Sequence, residues 1–418
     1  MGRRSDVNAI LDHLRRLGSG AVLACACWLS AGCGGNSDDL SGPEPPGTPP
    51  PVDEGIAPSA GCTDGVLEHG ALYRICFPAT WNGDLVLYAH GYVPAHQPVA
   101  LPDDVVGGLS ISGTLTGLGY AFATTSYRAN GLVAPEATED LAELDATVRR
   151  LYRPDPGRSV IIGFSEGGLV ATLSVERYPE LFDGALAGCG PIGDFQSQLN
   201  YIGDFRVVFD YLFPGVIPGT VVEIPETVRA SWDSSYVPAI VISLAANFDA
   251  ALELIRITGA PVAGNDLRSV AETTVGILWY DVFGVADART RLGGQPFDNS
   301  TRVYAGSSND AALNAGVQRH SADPAAVAGL ARFQTSGNIQ VPLATLHTTG
   351  DPIVPLSQSE LYGEKVSQAG KAPLLVHQTI DRHGHCAFEG PEVLGVFTAL
   401  MERVKARPAA TVLALARP

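Results

Sequence analysis

The sequence predicts an α/β fold in which helices flank a mostly parallel central sheet on both faces. Short apolar runs typical of strands alternate with helical runs over residues 61–190, and the same alternation resumes over 336–407. Residues 191–335 lack clear strands and predict a mostly helical insertion. The alternation favours parallel strands because each connecting helix returns the chain to the same end of the sheet.

The elements of the first half follow from their residue patterns. "ALYRICF" and "DLVLYAH" are β-rich, and Asn82-Gly83 between them is a hairpin signal. "GLSISGTLTGLG" has a weak helical pattern, and "YAFATTSY" predicts a buried strand. Residues 138–152 place apolar side chains at helical spacing, with acids early and arginines late, as the helix dipole favours.

The later elements continue the pattern. "RSVIIGF" and "FDGALAGCGP" predict strands, with the helix "GLVATLSVERYP" between them. After the insertion, "VPLATLHTTGD" and "PLLVHQTI" predict strands, and "PLSQSELYGEKVSQAG" and "PEVLGVFTALMERVKAR" predict helices. The core is therefore expected in two pieces, on either side of the insertion, and 408–418 is expected to be a tail.

The N-terminus is typical of an export signal. Arg15 and Arg16 precede an apolar stretch of 13 residues, which is too short to span a bilayer and suits a signal peptide over 1–32. "LSAGC" resembles a bacterial lipobox that would lipidate Cys33, although Leu29 lies four positions before that cysteine, where three is usual. Plain secretion, a retained anchor and a misassigned start remain alternatives, and the paired arginines weakly suggest a Tat signal.

The residues after the signal, 33–60, are rich in proline, glycine and acid and predict a tether. The formal net charge of −17 argues against nucleic acid and anionic membrane surfaces as partners, so membrane contact is expected only through a lipid on Cys33. We expect no cofactor and no metal. "GCGPIG" fits a dinucleotide pattern but places Pro191 in the helix start, and "HGHC" lacks a second pair of metal ligands.

Four cysteines remain outside the signal and the lipidation site. An even number in an exported chain suggests two disulfides, and three pairings are possible. We favour a local pair, Cys62–Cys76, and a long-range pair, Cys189–Cys386, because Cys189 follows the strand after "GFSEGG" and Cys386 adjoins a candidate catalytic histidine.

The chemistry centres on "GFSEGG", in which Ser165 lies between a predicted strand and a predicted helix. Attack on an ester carbonyl needs such a hydroxyl, a base, an acid that orients the base and donors for the oxyanion. Asp351 and His385 each follow a later strand, in the order nucleophile, acid, base. Asp381 competes with Asp351 as the acid, and His383 competes with His385 as the base.

These four segments resemble the α/β-hydrolase superfamily. "LVLYAHGY" is similar to its oxyanion loop, "GFSEGG" to its nucleophile elbow, "HTTGDPIVP" to its acid loop and "HGHCAF" to its histidine loop. The resemblance covers about 70–190 and 336–407. It implies that the backbone N–H groups of Tyr92 and Glu166 form the oxyanion hole and that 191–335 is a cap over the site. Phe164 precedes the serine, where tannase-like and feruloyl-esterase relatives have cysteine.

The sequence therefore predicts a serine hydrolase, exported as a cell-envelope lipoprotein or a secreted protein, that cleaves small-molecule or polymeric carboxylic esters. A serine peptidase such as a prolyl-type aminopeptidase is the alternative, because acids of the insertion are candidates for binding a substrate terminus. A non-catalytic binding lipoprotein is a further alternative. The candidate acids are Asp194, Asp204, Asp210, Glu223 and Glu226. Candidate aromatic residues for an apolar pocket are Phe205, Phe209, Tyr211, Phe213, Trp279 and Tyr280.

Overall fold

The computed structural model of the chain describes residues 55–407 and, nearer the N-terminus, residues 7, 10, 11, 13 and 14. The apolar stretch of the predicted signal peptide, Cys33, most of the predicted tether and the predicted tail lie outside the described residues. Within the described part, no single helix is long and apolar enough to cross a bilayer. One adjacent pair, Trp232–Ala246 and Phe248–Thr258, meets the length and composition criteria jointly but bends by 103° at the break.

An eight-stranded sheet forms the centre of the molecule, and a separate two-stranded ribbon lies beside it. The strands in chain order are β1 (Gly61–Val66), β2 (Leu72–Phe77), β3 (Asp84–Ala89), β4 (Val105–Val106), β5 (Leu109–Ser110), β6 (Ala121–Thr125), β7 (Arg158–Phe164), β8 (Gly184–Gly188), β9 (Leu343–Gly350) and β10 (Leu375–His383). The spatial order is β1-β2-β6-β3-β7-β8-β9-β10, and β4 pairs with β5 in the ribbon. All neighbours from β6 to β10 are parallel, which confirms the predicted mostly parallel sheet.

Helices cover the sheet and fill the connection between β8 and β9. The α-helices are α1 (Ile111–Gly117), α2 (Ala134–Leu151), α3 (Glu166–Arg177), α4 (Phe195–Leu212), α5 (Glu226–Ala230), α6 (Val237–Ala246), α7 (Phe248–Thr258), α8 (Leu267–Tyr280), α9 (Ala286–Leu292), α10 (Asp310–Gly316), α11 (Pro324–Leu330), α12 (Ser357–Gln368) and α13 (Gly390–Lys405). Short π-helical turns adjoin α6 and α8. Every regular element between β8 and β9 is helical.

The predicted hairpin at Asn82-Gly83 is wrong. Strand β6 lies between β2 and β3, so the two strands that flank this turn are not neighbours. Gly83 has a φ of 93°, but the turn leads into a strand that pairs in parallel with β6 and β7. The antiparallel partner of β2 is instead β1, which the sequence reasoning missed because its residues are polar and mostly exposed.

The sheet separates two apolar layers. Alternate side chains of a strand point to opposite faces, so Leu85 and Leu87 of β3 pack with α2 and α3, whereas Val86 and Tyr88 pack with α1 and α13. Every residue of β3 is buried, which matches its nearly continuous apolar run. The helices between β8 and β9 join the layer that contains α2 and α3.

The connectivity of the sheet places a crevice at one end of its centre. The chain leaves β3 for β6 on one side and later enters β7 on the other side. Connections therefore diverge from the carboxyl ends of β3 and β7, and such a switch point leaves room for a ligand. His90 follows β3 and Ser165 follows β7, so both stand at this switch point.

Candidate active site

Ser165 occupies a sharp turn between β7 and α3. Its backbone has a φ of 58° and a ψ of −128°, a combination that residues other than glycine rarely adopt. The Ser165 N–H donates to the carbonyl of Gly188 at 2.9 Å, which fixes the turn against β8. The turn lifts the serine side chain into the crevice at the end of the sheet.

Two glycines beside the serine are required by close backbone packing. A Cβ at Gly163 would lie 2.1 Å from the carbonyl oxygen of Gly167. A Cβ at Gly167 would lie 2.0 Å from the carbonyl oxygen of Ala89 at the end of β3. Neither position has room for a side chain, so the glycines of "GFSEGG" reflect the packing of α3 against two strands.

Ser165, His385 and Asp351 lie in one hydrogen-bonded row. His385 Nε2 is 2.9 Å from Ser165 Oγ, and His385 Nδ1 is 2.8 Å from Asp351 Oδ2. Asp351 follows β9, and His385 follows β10, so neighbouring strands deliver the two side chains to the same edge. The geometry suits a histidine that donates from Nδ1 to the carboxylate and accepts the serine proton at Nε2.

Asp351 is fully buried and is held as an anion. Its Oδ1 accepts hydrogen bonds from the N–H groups of Ile353 and Val354 at 2.9 and 3.0 Å. Burial by itself raises the pKa of Asp351, but attraction to His385, the hydrogen bond from His385 and the nearby His347 outweigh it and lower the pKa to about 2. The carboxylate therefore stays charged at neutral pH and can stabilise a protonated His385.

His347 is a buried residue of this site that the sequence reasoning missed. Its Nε2 donates to the carbonyl of Val354 at 2.8 Å and lies 3.6 Å from Asp351 Oδ2, while its Nδ1 is 2.7 Å from Ser359 Oγ. It thus fixes the loop that carries Asp351. The sequence feature that could have indicated it is a histidine inside the apolar run of β9, four positions before Asp351.

The competing residues face elsewhere. Asp381 accepts a hydrogen bond from Thr349 Oγ1 at 3.1 Å. His383 is the last residue of β10, and its Nε2 is 3.4 Å from Thr273 Oγ1 and 3.3 Å from the carbonyl of Pro261. Both side chains make these contacts away from the Ser165 hydroxyl, so the structure brings Asp351 and His385, rather than their competitors, to the serine.

The two backbone N–H groups that the resemblance implied as oxyanion donors belong to residues beside the serine. Tyr92 and Glu166 both line the cavity that contains Ser165. Glu166 begins α3, so its N–H has no acceptor inside the helix. Within residues 55–407, neither N–H donates a hydrogen bond. A Cβ on Gly91 would lie 3.5 Å from Ser165 Cβ, so the loop after β3 runs close to the serine.

The Glu166 side chain is buried behind the serine. Its Oε1 accepts a hydrogen bond from the N–H of Val133 at 3.0 Å, whereas Oε2 is buried without a partner among the described residues. Burial is the largest cause that raises the pKa of Glu166, and Asp287 adds to the rise; the N–H groups of Val133 and Ala134 and the charge of Arg291 oppose it, and the resulting pKa is about 8. The carboxyl is therefore mostly protonated at neutral pH.

A small cavity of about 50 Å³ opens beside Ser165 between the sheet and the helical segment. Its apolar lining comes from both parts of the molecule, and Tyr280 and Gln198 are polar residues of the helical segment in the wall. Tyr280 and Ser165 line the same cavity. Among the candidate aromatic residues, Tyr280 lines this cavity, whereas Phe205 and Phe209 are fully buried in the apolar core.

None of the five candidate acids of the helical segment lines this cavity. Asp210 pairs with Arg206 at 2.9 Å, and Asp204 accepts a hydrogen bond from Tyr304 at 2.6 Å. These contacts give the two carboxylates partners inside the segment itself.

The structure contains two disulfides, Cys62–Cys76 and Cys189–Cys386. The first joins facing residues of β1 and β2. The second joins the residue after β8 to the residue after His385, and Cys386 Sγ lies 3.6 Å from His385 Nε2. Disulfides of this kind are typical of proteins in an oxidising compartment.

Comparisons with known proteins give likeness in structure only. No family model matches the chain, and no curated protein matches it in sequence. An esterase from Aspergillus oryzae matches at 15% identity and a TM-score of 0.47, covering 81% of this chain and 77% of that chain. An esterase from Pyrococcus furiosus matches at 12% identity and a TM-score of 0.43, and the match covers 83% of this chain and 91% of that chain. An acylaminoacyl peptidase from Pyrococcus horikoshii matches at 13% identity and a TM-score of 0.39. The match covers 84% of this chain but 41% of that longer chain.

These scores are too low to carry an argument, so the assignment rests on the chain's own architecture. A mostly parallel sheet carries the serine turn after β7, the buried carboxylate after β9 and the histidine after β10. This order of serine, acid and histidine on such a sheet, with the serine on a strand–turn–helix elbow, is that of one fold. The chain has the α/β-hydrolase fold.

Proposed function

We propose that the protein is an exported serine hydrolase that cleaves short carboxylic esters through an acyl-enzyme intermediate. The row of hydrogen bonds from Ser165 through His385 to the buried Asp351 carries this proposal. The Ser165 hydroxyl lies 2.9 Å from His385 Nε2, and the other ring nitrogen of His385 contacts the Asp351 carboxylate. The nucleophile therefore has its base and its orienting acid in place.

In the proposed reaction, Ser165 Oγ attacks the ester carbonyl carbon while His385 Nε2 takes the hydroxyl proton. The N–H groups of Tyr92 and Glu166 stabilise the negative charge that develops on the carbonyl oxygen. The C–O bond to the alcohol then breaks, and His385 returns the proton to the leaving oxygen. Water activated by His385 attacks the acyl-enzyme, which releases the acid and restores Ser165. Asp351 keeps the imidazole in the required tautomer.

The cavity supports a small acyl group. Its volume of about 50 Å³ is far below the roughly 300–1,000 Å³ of common ligand pockets, so a small acyl group fits it best. The same reasoning disfavours long fatty acyl chains in this conformation. A serine peptidase of the same fold remains the alternative activity, because the same hydrogen-bonded row attacks amides.

Covalent labelling tests the chemistry. A fluorophosphonate probe should label the folded wild type, and Ser165→Ala should abolish both labelling and hydrolysis. His385→Gln should be inactive, whereas the matched variant His383→Gln should remain active because His383 faces Thr273 and Pro261. A folded wild type that the probe does not label would overturn the proposal in favour of a binding protein.

A substrate panel separates the two activities. p-Nitrophenyl acetate and butyrate should be cleaved faster than the octanoate and faster than aminoacyl anilides. Faster turnover of the anilides would instead establish the peptidase. A small neutral ester also suits a protein whose net charge of −17 repels nucleic acid.

We also propose export with a lipid on Cys33. The two disulfides favour an oxidising compartment, and the N-terminal pattern favours processing before that cysteine. Metabolic labelling with a fatty acid in a bacterial host tests this step. Label that persists in Cys33→Ala would place the modification elsewhere, and unlabelled protein in the medium would indicate plain secretion.

A further inference from the structure

Gly284 lies in the wall of the cavity beside Ser165, on the short π-helical turn Asp281–Val285. Glycine is among the least favourable residues inside a helix, because its backbone loses the most freedom on folding. The φ of Gly284 lies outside the left-handed region that favours glycine. A residue with a side chain could therefore adopt this backbone, so conformation does not explain the glycine.

Close packing does not explain Gly284 either. Beyond its chain neighbours and its own helical backbone, a Cβ there would meet one atom of the described residues within 4 Å, Tyr280 Cδ1 at 3.8 Å. That distance is an ordinary van der Waals contact. Gly284 is nevertheless buried. A buried position with room for a methyl group borders an unfilled space, and Gly284 and Tyr280 both line the cavity.

The turn that carries Gly284 is anchored on both sides of this residue. Asp281, its first residue, pairs with the buried Arg206 at 2.8 Å. The hydroxyl of Tyr92 donates to the carbonyl of Phe283 at 3.0 Å. Single π-helical turns occur frequently at functional sites. A wall held in this way cannot easily move aside, so a side chain at position 284 should take its room from the cavity.

The residues around the cavity indicate which part of an ester it receives. His385 must return a proton to the leaving oxygen, so the alcohol part of the substrate lies beside His385. The described residues that line the cavity include Ser165, Tyr92 and Glu166 but not His385. The other substituent of the carbonyl carbon is the acyl chain, so the cavity receives the acyl chain. Its almost wholly apolar lining suits a hydrocarbon chain.

We propose that Gly284 sets the length of the acyl chain that the protein accepts. The space left by the missing side chain holds the end of a short unbranched chain such as butyryl. This role rests on the proposed ester hydrolysis and names the residue that limits its acyl group.

Gly284→Ala tests this role with two esters of the same alcohol. The wild type should cleave p-nitrophenyl butyrate at least as well as the acetate, measured as kcat/KM. The variant should lower the butyrate-to-acetate ratio by about 10-fold or more, the discrimination that one methylene gives in an apolar pocket. Cleavage of the acetate should be nearly retained. An unchanged ratio, or an equal fall for both esters, would overturn the role of Gly284.

Gly395→Ala is the matched control. Gly395 lies in α13, is exposed, and a Cβ there would meet no described atom within 4 Å. Both alanine variants should keep or raise the melting temperature, because alanine favours a helix more than glycine does. Gly395→Ala should leave the ester ratio unchanged.

Ile202→Ala tests the same space if Gly284→Ala does not fold. Four lining residues of α4 share one face of that helix: Phe195, Gln198, Leu199 and Ile202. Loss of the Ile202 side chain should enlarge the cavity and raise the hexanoate-to-butyrate ratio. An unchanged ratio would overturn the placement of the acyl chain there.

A second series varies the alcohol and keeps the acyl group constant. Gly284→Ala should leave the relative rates of methyl acetate and butyl acetate unchanged, because the alcohol lies beside His385. A selective loss of butyl acetate would place the alcohol in the cavity and overturn the proposal.

Binding to inactive protein separates this proposal from ester hydrolysis itself. If the wild type cleaves no ester and the fluorophosphonate probe leaves Ser165 unlabelled, the proposed function fails. Methyl butyrate should still raise the melting temperature of Ser165→Ala more than that of Ser165→Ala/Gly284→Ala. Equal shifts in the two variants would overturn the acyl site beside Gly284 independently of catalysis.

Discussion

Cys386 directly follows His385 and is bonded to Cys189, which follows strand β8. Both cysteines have a positive φ, 45° at Cys189 and 50° at Cys386, so each end of the bridge is a tightly constrained turn. The bridge fixes the histidine loop to the strand beside the serine turn. We therefore expect the bridge to hold His385 at hydrogen-bonding distance from Ser165.

Removing this bridge should impair catalysis more than folding. We expect Cys189→Ala/Cys386→Ala to lower kcat by roughly 10- to 100-fold, because small displacements of a reacting group have effects of that size. Steady-state kinetics on a p-nitrophenyl ester measures it. Cys62→Ala/Cys76→Ala is the control, since that bridge joins β1 to β2 at the far edge of the sheet. Equal kcat values in the two variants would contradict the positioning role.

Asp351→Asn should lower kcat by roughly 10⁴-fold while the protein stays folded, because the amide favours the wrong imidazole tautomer. Asp381→Asn should be nearly neutral, since that carboxylate meets Thr349. The low pKa of Asp351, about 2, also stabilises the folded state above the unfolded pKa of about 3.9. That contribution is lost as pH falls from about 4 to 2, and acid unfolding followed by circular dichroism should show it in the wild type but not in Asp351→Asn.

Tyr280→Phe should lower kcat about three- to tenfold with a smaller change in KM. Tyr280 lines the cavity beside Ser165, so we expect loss of its hydroxyl to affect orientation of the nucleophile more than substrate binding. Tyr211→Phe, on α4 away from the cavity, is the control. A change in KM alone would indicate that Tyr280 only shapes the pocket.

Glu166→Gln should make stability less dependent on pH. The folded protein keeps the Glu166 proton up to about pH 8, whereas the unfolded chain releases it near 4.3, so this residue destabilises the fold as pH rises between the two values. Asp287 and Arg291 face this carboxyl with opposite effects. We expect the melting temperatures of variant and wild type to agree at pH 4 and the variant to be higher at pH 8. A constant difference between them at all pH values would contradict the titration.

Arg206→Met should destabilise the helical segment strongly. Arg206 is fully buried and pairs with Asp281 at 2.8 Å and Asp210 at 2.9 Å. Breaking such a buried pair costs about 3–5 kcal/mol, because the remaining carboxylates lose their partner. Urea unfolding measures the loss. Arg268→Met removes an exposed pair with Glu272 and should cost less than about 1 kcal/mol.

The sequence predicted the elements of the sheet better than their pairing. The apolar run of β3 and the helical spacing of α2 determine local structure, so their positions were readable from residues alone. Pairing depends on which strands pack side by side, and β6 entered between β2 and β3 through contacts distant in the chain. The polar, exposed strand β1 gave no periodic signal, because pairing with β2 rather than burial forms it.

For the site, the sequence by itself determined the residue types, their order and the strict need for glycine beside Ser165. These features are local, because a strand–turn–helix elbow and its close backbone contacts constrain the nearby residues directly. Only the tertiary structure decided between Asp351, which follows β9, and Asp381, which lies within β10, because the choice depends on which carboxylate the neighbouring strand brings to His385. It also decided between His385 and His383, because two residues at the end of β10 turn the side chain to a different neighbour. Tertiary packing also introduced His347 behind the acid and Gln198 into the cavity wall, since helices and strands distant in sequence meet there.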